Sequence, residues 1–259
     1  MLDYGKKTYI MGILNVTPDS FSDGGDYTNI DIAVNHAKEM IELGADMIDL
    51  GGESTRPGHK FVSAEEEISR IVPVIKRLKE EINVPISIDT YKSEVAEEAL
   101  KLGVDMVNDV WGLTYDGKMA DVVAKYDGEV CIMHNQEGTD YDKDIMEAIK
   151  EFLQNSIDMA LKAGVKKEKI VLDPGIGFGK TYQQNIEVLE RLGELRDLGY
   201  PVLLGTSRKS VLGKILENST PKERVNATVA VKDGVDIVRV HDVKENKEAA
   251  MVADAIYRR

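Results

Sequence analysis

The side chains of this chain that could do chemistry fall into two sets, each following short apolar runs. Asp89, Asn108 and Asp173 supply carboxylate and amide groups, which give and accept hydrogen bonds in a fixed plane. Such a set suits a flat heterocycle carrying ring N–H, amino and carbonyl groups. Each aspartate also has a plainer reading as the cap of a following helix, Asp89 before TYKSEVAEEAL and Asp173 before PGIGFGK. The second set is cationic: Arg56, Lys209 and Arg239, with His241. Guanidinium forks match phosphate oxygens, so this set would hold an anion, although any one basic residue taken alone reads as a solvated surface charge. In VRVHDV, Arg239 and His241 alternate with valines, so on a buried strand both point to one side.

Eight short runs rich in Val, Ile and Leu would carry these groups: Tyr9 to Val16, Met47 to Leu50, Val84 to Ile88, Met106 to Asn108, Val130 to Met133, Ile170 to Leu172, Val202 to Leu204 and Ile237 to Val240. Between them lie amphipathic stretches such as AEEEISRIVPVIKRLKEEI and DIMEAIKEFLQNSIDMALKAG, with apolar residues three and four apart. Several end at a glycine suited to a C-cap: Gly44, Gly103, Gly164 and Gly199. Eight βα units in 259 residues, about 32 residues each, predict a single (β/α)₈ barrel spanning residues 1–259 as one domain, with an open parallel sheet as the alternative. Pro221 breaks the segment after the seventh strand. Polar residues follow every run, among them Asn15, Glu53, Asp89, Asn108, His134, Asp173, Ser207 and His241. In a barrel that face is where active sites are built.

Composition limits what the site could serve. With 33 Lys+Arg against 46 Asp+Glu the formal net charge is −13, which argues against generic nucleic-acid binding. An anionic partner would need a local positive cluster. The single cysteine, Cys131, excludes an internal disulfide framework and reads as a small buried apolar residue. The first residues lack the apolar core of a signal peptide and no run of about 18 apolar residues occurs, so a cytoplasmic protein without membrane attachment is expected. Two long loops rich in Gly, Ser and Pro, TPDSFSDGGDY and GGESTRPGHKFVS, read as lids closing on a substrate. GIGFGK lacks the full GxGxxG spacing and follows the sixth strand, so it does not read as a nucleotide site.

Seven segments in order, ILNVTPDSFSDGG, IDLGGESTRPG, ISIDT, VNDV, LDPGIGFGK, GTSRKS and IVRVHDV, closely resemble the dihydropteroate synthase family, the sulfonamide target of folate biosynthesis. The likeness runs from about residue 9 to 255. It implies a (β/α)₈ barrel that condenses 6-hydroxymethyl-7,8-dihydropterin diphosphate with p-aminobenzoate, assisted by Mg²⁺. It further implies pterin binding by Asp89, Asn108, Asp173 and Lys209, with Asp89, Asp173 and Lys209 taking part in catalysis. Diphosphate would fall to Arg56, Arg239 and His241, and a metal ligand role to Asn15. The p-aminobenzoate site would comprise Phe21, Thr55, Arg56, Pro57 and Ser207 beside the Lys209 stem. The family also implies a homodimer. Two departures stand out: Asn135 in MHNQEG takes the place of a methionine, and the stretch from Arg224 to Gly234 is several residues shorter than the family's. The rivals are a methyltetrahydrofolate-dependent methyltransferase, which has no use for a diphosphate clamp, and a catalytically silent pterin-binding homologue.

Overall fold

The computed structural model describes residues 2–17, 26–54, 61–215 and 234–258. Strands and helices alternate: β1 (Tyr9–Asn15), α1 (Asp26–Glu42), β2 (Met47–Gly51), α2 (Ala64–Glu81), β3 (Ile86–Asp89), α3 (Ser93–Lys101), β4 (Met106–Asp109) and α4 (Met119–Lys125). The series continues with β5 (Glu129–Met133), α5 (Ile145–Ala163), β6 (Ile170–Asp173), α6 (Tyr182–Glu190), β7 (Leu203–Leu204), α7 (Ser210–Ile215), β8 (Ile237–Val240) and α8 (Val243–Tyr257). The strands are parallel and ordered β6-β5-β4-β3-β2-β1-β8-β7. A parallel bridge from Leu172 to Val202 links β6 to the approach of β7 and brings the two ends of the sheet together. The architecture is the (β/α)₈ barrel expected from the alternating pattern, not the open sheet.

Local signals place the helices. Ser63 caps α2 by accepting from the Glu66 N–H, and Asp144 caps α5 by accepting from the Met146 and Glu147 N–H groups. The four glycines read as C-caps all take positive φ: Gly44 105°, Gly103 84°, Gly164 100° and Gly199 75°, a region that costs glycine little. Residues 216–233, which include Pro221 and the stretch after Arg224 expected to be short, lie outside the described residues, as do residues 18–25 and 55–60 of the two glycine-rich loops.

Strand alternation then divides the barrel into layers. Ile10, Ile48, Ile88, Val107, Ile132, Leu172, Val238 and Val240 point outward into the apolar layer beneath the helices. Tyr9, Met11, Met47, Met106, Cys131, Val171, Leu203 and Ile237 form a separate buried cluster inside. Two residues further along, on the same face of each strand, Met47 gives way to Asp49, Met106 to Asn108, Val171 to Asp173 and Ile237 to Arg239. A dry plug therefore fills the N-terminal half of the barrel, and a polar layer sits above it at the C-terminal mouth.

Candidate active site

The centre of the mouth is an ion cluster reaching across four strands. Arg239 of β8 donates from Nε to Asp49 Oδ2 at 2.6 Å and from Nη2 to Asp89 Oδ2 at 2.5 Å. Asp49 Oδ2 also accepts from Asn108 Nδ2 at 3.2 Å. Asp89 stands beside Asn108 in the β3–β4 register and beside Gly51 in the β2–β3 register. The other oxygen of each carboxylate, Asp49 Oδ1 and Asp89 Oδ1, is buried without a hydrogen-bond partner. Leaving such a group unsatisfied costs about 1–3 kcal/mol, which a ligand donor at the mouth would recover. Burial pushes the Asp89 carboxyl well above the ordinary carboxylate range; Arg239 opposes the shift and the Asp49 charge adds to it.

A second group faces it from β6 and the loop after β7. Asp173 Oδ1 accepts from the Gly175 N–H at 2.7 Å, while Oδ2 lies 4.0 Å from where a side chain on Gly205 would begin. Lys209 Nζ donates to the Ile176 carbonyl oxygen and lies 4.4 Å from the centre of the Phe178 ring. Burial raises the Asp173 carboxyl and pulls the Lys209 ammonium down to about 8; in each case the charge of the other opposes the shift. Between Ser207 and Lys209 the chain turns at Arg208, whose φ is 58°, uncommon for a non-glycine residue. The Arg208 guanidinium pairs with Asp242 at 2.6 Å. Ser207 Oγ lies 3.0 Å from His241 Nδ1 and accepts from the His241 N–H at 3.1 Å.

The described part of the site thus brings Asp89, Asn108, Asp173, Lys209 and Arg239 within interacting range, with the Ser207–His241 pair spanning the segments that follow the neighbouring strands β7 and β8. Asn15 ends β1 opposite Gly51, and a Cβ on Gly51 would stand 3.2 Å from its Oδ1. Phe21, Thr55, Arg56 and Pro57 lie outside the described residues. Neither aspartate caps a helix: α3 begins after Lys92, and α6 begins with a capping box between Thr181 and Gln184. Other polar residues that follow the strands serve the frame. Asp109 accepts from the Trp111 and Leu113 N–H groups at 2.8 and 2.7 Å, and burial pushes its carboxyl up to about 6. Buried Lys92 pairs with both Glu53 and Glu67, and Glu53 accepts from the Val62 N–H at 3.1 Å. That bond ties the two sides of the loop carrying Thr55 to Pro57.

Sequence reasoning missed Asp49, Lys180 and Thr206. For Asp49 a signal existed, since a carboxylate inside the apolar run MIDLG requires a buried cation. Lys180 is buried against His134, and Thr206 Oγ1 is buried without a partner. Nothing in their spacing announces either.

Fold and site define a barrel enzyme whose mouth offers acids and an amide to a planar polar ligand, with cations beside them. The chain matches the family described as pterin binding enzyme over residues 11–241. It is 57% identical to a dihydropteroate synthase of Clostridium beijerinckii across 98% of this chain and 96% of that protein. The crystal structure of a Clostridium difficile dihydropteroate synthase in the presence of pteroic acid superposes with a TM-score of 0.97 at 69% identity, covering 100% of both chains. A Xanthomonas albilineans dihydropteroate synthase in complex with 7,8-dihydropteroate gives a TM-score of 0.88 at 38% identity, covering 97% of this chain and 94% of that one. The chain belongs to the pterin-binding enzyme family and, within it, to the dihydropteroate synthases.

Proposed function

We propose that this chain condenses 6-hydroxymethyl-7,8-dihydropterin diphosphate with p-aminobenzoate, giving 7,8-dihydropteroate and diphosphate for folate biosynthesis, and that it does so by a dissociative substitution at the barrel mouth. The observation that carries the reading is the pairing of Asp89 with Arg239 while Asp89 Oδ1 stays buried and without a partner. A carboxylate held that way is an acceptor set aside for a ligand. Asp89, Asn108 and Asp173 would engage the pterin edge and Lys209 its plane. Arg239 and His241, joined by Arg56, would hold the diphosphate. Phe21, Thr55, Arg56, Pro57 and Ser207 would form the p-aminobenzoate site.

In the reaction the methylene C–O bond breaks and both electrons leave with the diphosphate, whose charge is spread over the cationic groups. The resulting cation is delocalised into the pterin ring and faces the carboxylates of Asp89 and Asp173. The p-aminobenzoate nitrogen then donates its lone pair to form the C–N bond and releases a proton to solvent. No covalent enzyme intermediate is required.

Mg²⁺ fits the residues present. Among the described residues no three His, Cys, Asp or Glu converge as a metal cage, but this ion commonly keeps its waters and takes one or two protein ligands plus substrate phosphates. Asn15, with its side-chain oxygen accommodated by the absence of a Cβ at Gly51, would supply one such ligand. Bound there, Mg²⁺ would neutralise diphosphate charge. We extend the proposal to one domain over residues 1–259, supported by the pairing of β1 with β8, and to a homodimer. Met251, Val252, Ile256 and Tyr257 of α8 support the dimer, being apolar and exposed. Among the described residues no helix is long and apolar enough to cross a membrane. The proposal includes a cytoplasmic setting, and the reduced, buried thiol of Cys131 supports it.

The test is turnover by the purified chain with both substrates and Mg²⁺, following dihydropteroate by mass spectrometry and diphosphate by a coupled assay, beside calorimetric titration with the pterin diphosphate. Product from the wild-type chain and none from Asp173→Asn is expected. Binding without turnover would instead mark a silent homologue, and turnover indifferent to the diphosphate group a methyltransferase.

A further inference from the structure

Lys180, the last residue of the GIGFGK run, is only 9% exposed. Its Nζ lies 2.9 Å from His134 Nδ1 and donates to the carbonyl oxygens of Gly175 at 3.0 Å and Phe178 at 3.1 Å. An ammonium has three donors, and here all three go to neutral acceptors. Taking a cation out of water without an ion pair is expensive, so its position invites the question of what it holds.

It holds the turn that arranges the pterin side of the mouth. The Gly175 N–H binds Asp173, the Ile176 carbonyl accepts from Lys209, and the Phe178 ring lies against the Lys209 ammonium. Lys180 ties the first and last of these residues to each other and, through His134, to the end of β5. The turn sits so close to the chain after β5 that a Cβ on Gly179 would come within 2.7 Å of the Gln136 carbonyl oxygen. Gly175, Gly177 and Gly179 all take positive φ, at 69°, 82° and 54°, which lets the turn wrap that tightly. His134 is packed edge-on against Phe152 at 5.0 Å and stacked with Tyr141 at 6.2 Å. Burial and the neighbouring Lys180 push its imidazole down to about 3, and because an ammonium can only donate, Nδ1 facing Lys180 Nζ acts as the acceptor, which assigns the ring proton to Nε2.

We propose that Lys180 is a positioning residue for pterin recognition, acting through Gly175, Phe178 and the His134 acceptor to set Asp173 and Lys209 in place, without itself touching substrate. The inference rests on the functional reading above. Its positive charge also helps keep Asp173 ionised. The proposal accounts for two sequence features that the reaction leaves unused, the GIGFGK run and the histidine that follows β5.

The test compares wild type with Lys180→Met, which keeps the stem and loses the donors, and Lys180→Gln, which keeps two donors without the charge. Kd for the pterin diphosphate is measured by calorimetry, KM for p-aminobenzoate at saturating pterin diphosphate, and folding by circular dichroism. Lys180→Met is expected to weaken pterin binding by about 10-fold or more and to raise the p-aminobenzoate KM by much less, through the Lys209 stem alone, and Lys180→Gln to recover part of the loss. Should Lys180→Met fail to fold, His134→Phe, which removes the acceptor and keeps a ring, is expected to show the same selective loss. In the wild-type chain, nitrogen NMR should find the His134 ring as the Nε2–H tautomer, without titration, from about pH 5 to 8. Unchanged pterin binding in folded Lys180→Met, equal loss for both substrates, or a His134 ring titrating near its ordinary value would overturn the proposal while leaving the functional reading intact. A wild-type chain that does not bind the pterin diphosphate would overturn both.

Discussion

Asp89 gives one oxygen to Arg239 at 2.5 Å and keeps the other buried and unpartnered. One side of the carboxylate is thereby fixed by the protein, and on the proposed function the other accepts from the ligand. Asp89→Asn preserves the shape but removes the negative charge facing the developing cation. Steady-state kinetics should show kcat lower by about 10²–10³, the usual scale for removing one such electrostatic group, with the p-aminobenzoate KM little altered. Nearly normal kcat would remove Asp89 from the chemistry.

Arg239 has a structural duty as well as its proposed one, because Asp49 and Asp89 share it. Arg239→Met leaves two buried carboxylates without their cation and should destabilise the fold by about 3–5 kcal/mol in urea unfolding. Adding Asp49→Leu should restore part of that stability but none of the turnover. If stability and activity returned together, Arg239 would be a frame residue only.

The pH profile follows from burial. Lys209 is pulled down to about 8 and Lys180 to about 7; each carries its charge below its own value and loses it above. kcat/KM for the pterin diphosphate should therefore fall on the alkaline side over a span wider than one ionisation. The raised carboxyls of Asp89 and Asp173 are protonated as pH drops, so an acid limb should appear above the ordinary carboxylate range. Lys209→Arg, whose guanidinium does not titrate there, should abolish the upper part of the alkaline limb whatever its absolute rate.

The buried Lys92 lies 2.5 Å from Glu67 and also pairs with Glu53. Lys92→Met strands two carboxylates and should cost about 3–5 kcal/mol of stability. Burial already raises the Glu67 carboxyl, so the folded state takes up a proton more readily than the unfolded chain. The deficit should therefore shrink as pH is lowered through that raised value and be largest at neutral and higher pH. A deficit independent of pH would contradict this assignment.

Much of the architecture was legible because each layer of the barrel repeats a simple pattern. Alternation along IVRVHDV set Arg239 apart from its flanking valines, and the structure places Val238 and Val240 in the outer apolar layer; the glycines expected at helix ends all take positive φ. The polar ring was legible for the same reason: Asp89, Asn108 and Asp173 each stand where an apolar strand stops. What the sequence did not disclose were long-range pairings. Asp49 and Arg239 are 190 positions apart, yet bonded at 2.6 Å, and no local period encodes such a meeting. Lys180 was hidden more thoroughly, since a lysine ending a glycine-rich loop looks solvated until the fold closes around it. The roles expected of Phe21 and of Thr55 to Pro57 rest on the resemblance to a family, and these residues lie outside the described ones.

In the proposed reaction C–O cleavage precedes attack by the amine. Single-turnover release of diphosphate, with enzyme in excess over the pterin diphosphate and with or without p-aminobenzoate, tests this most directly. Diphosphate should appear in both cases, and p-aminobenzoate should govern the yield of 7,8-dihydropteroate. Diphosphate release that occurs only when p-aminobenzoate is present would contradict the account.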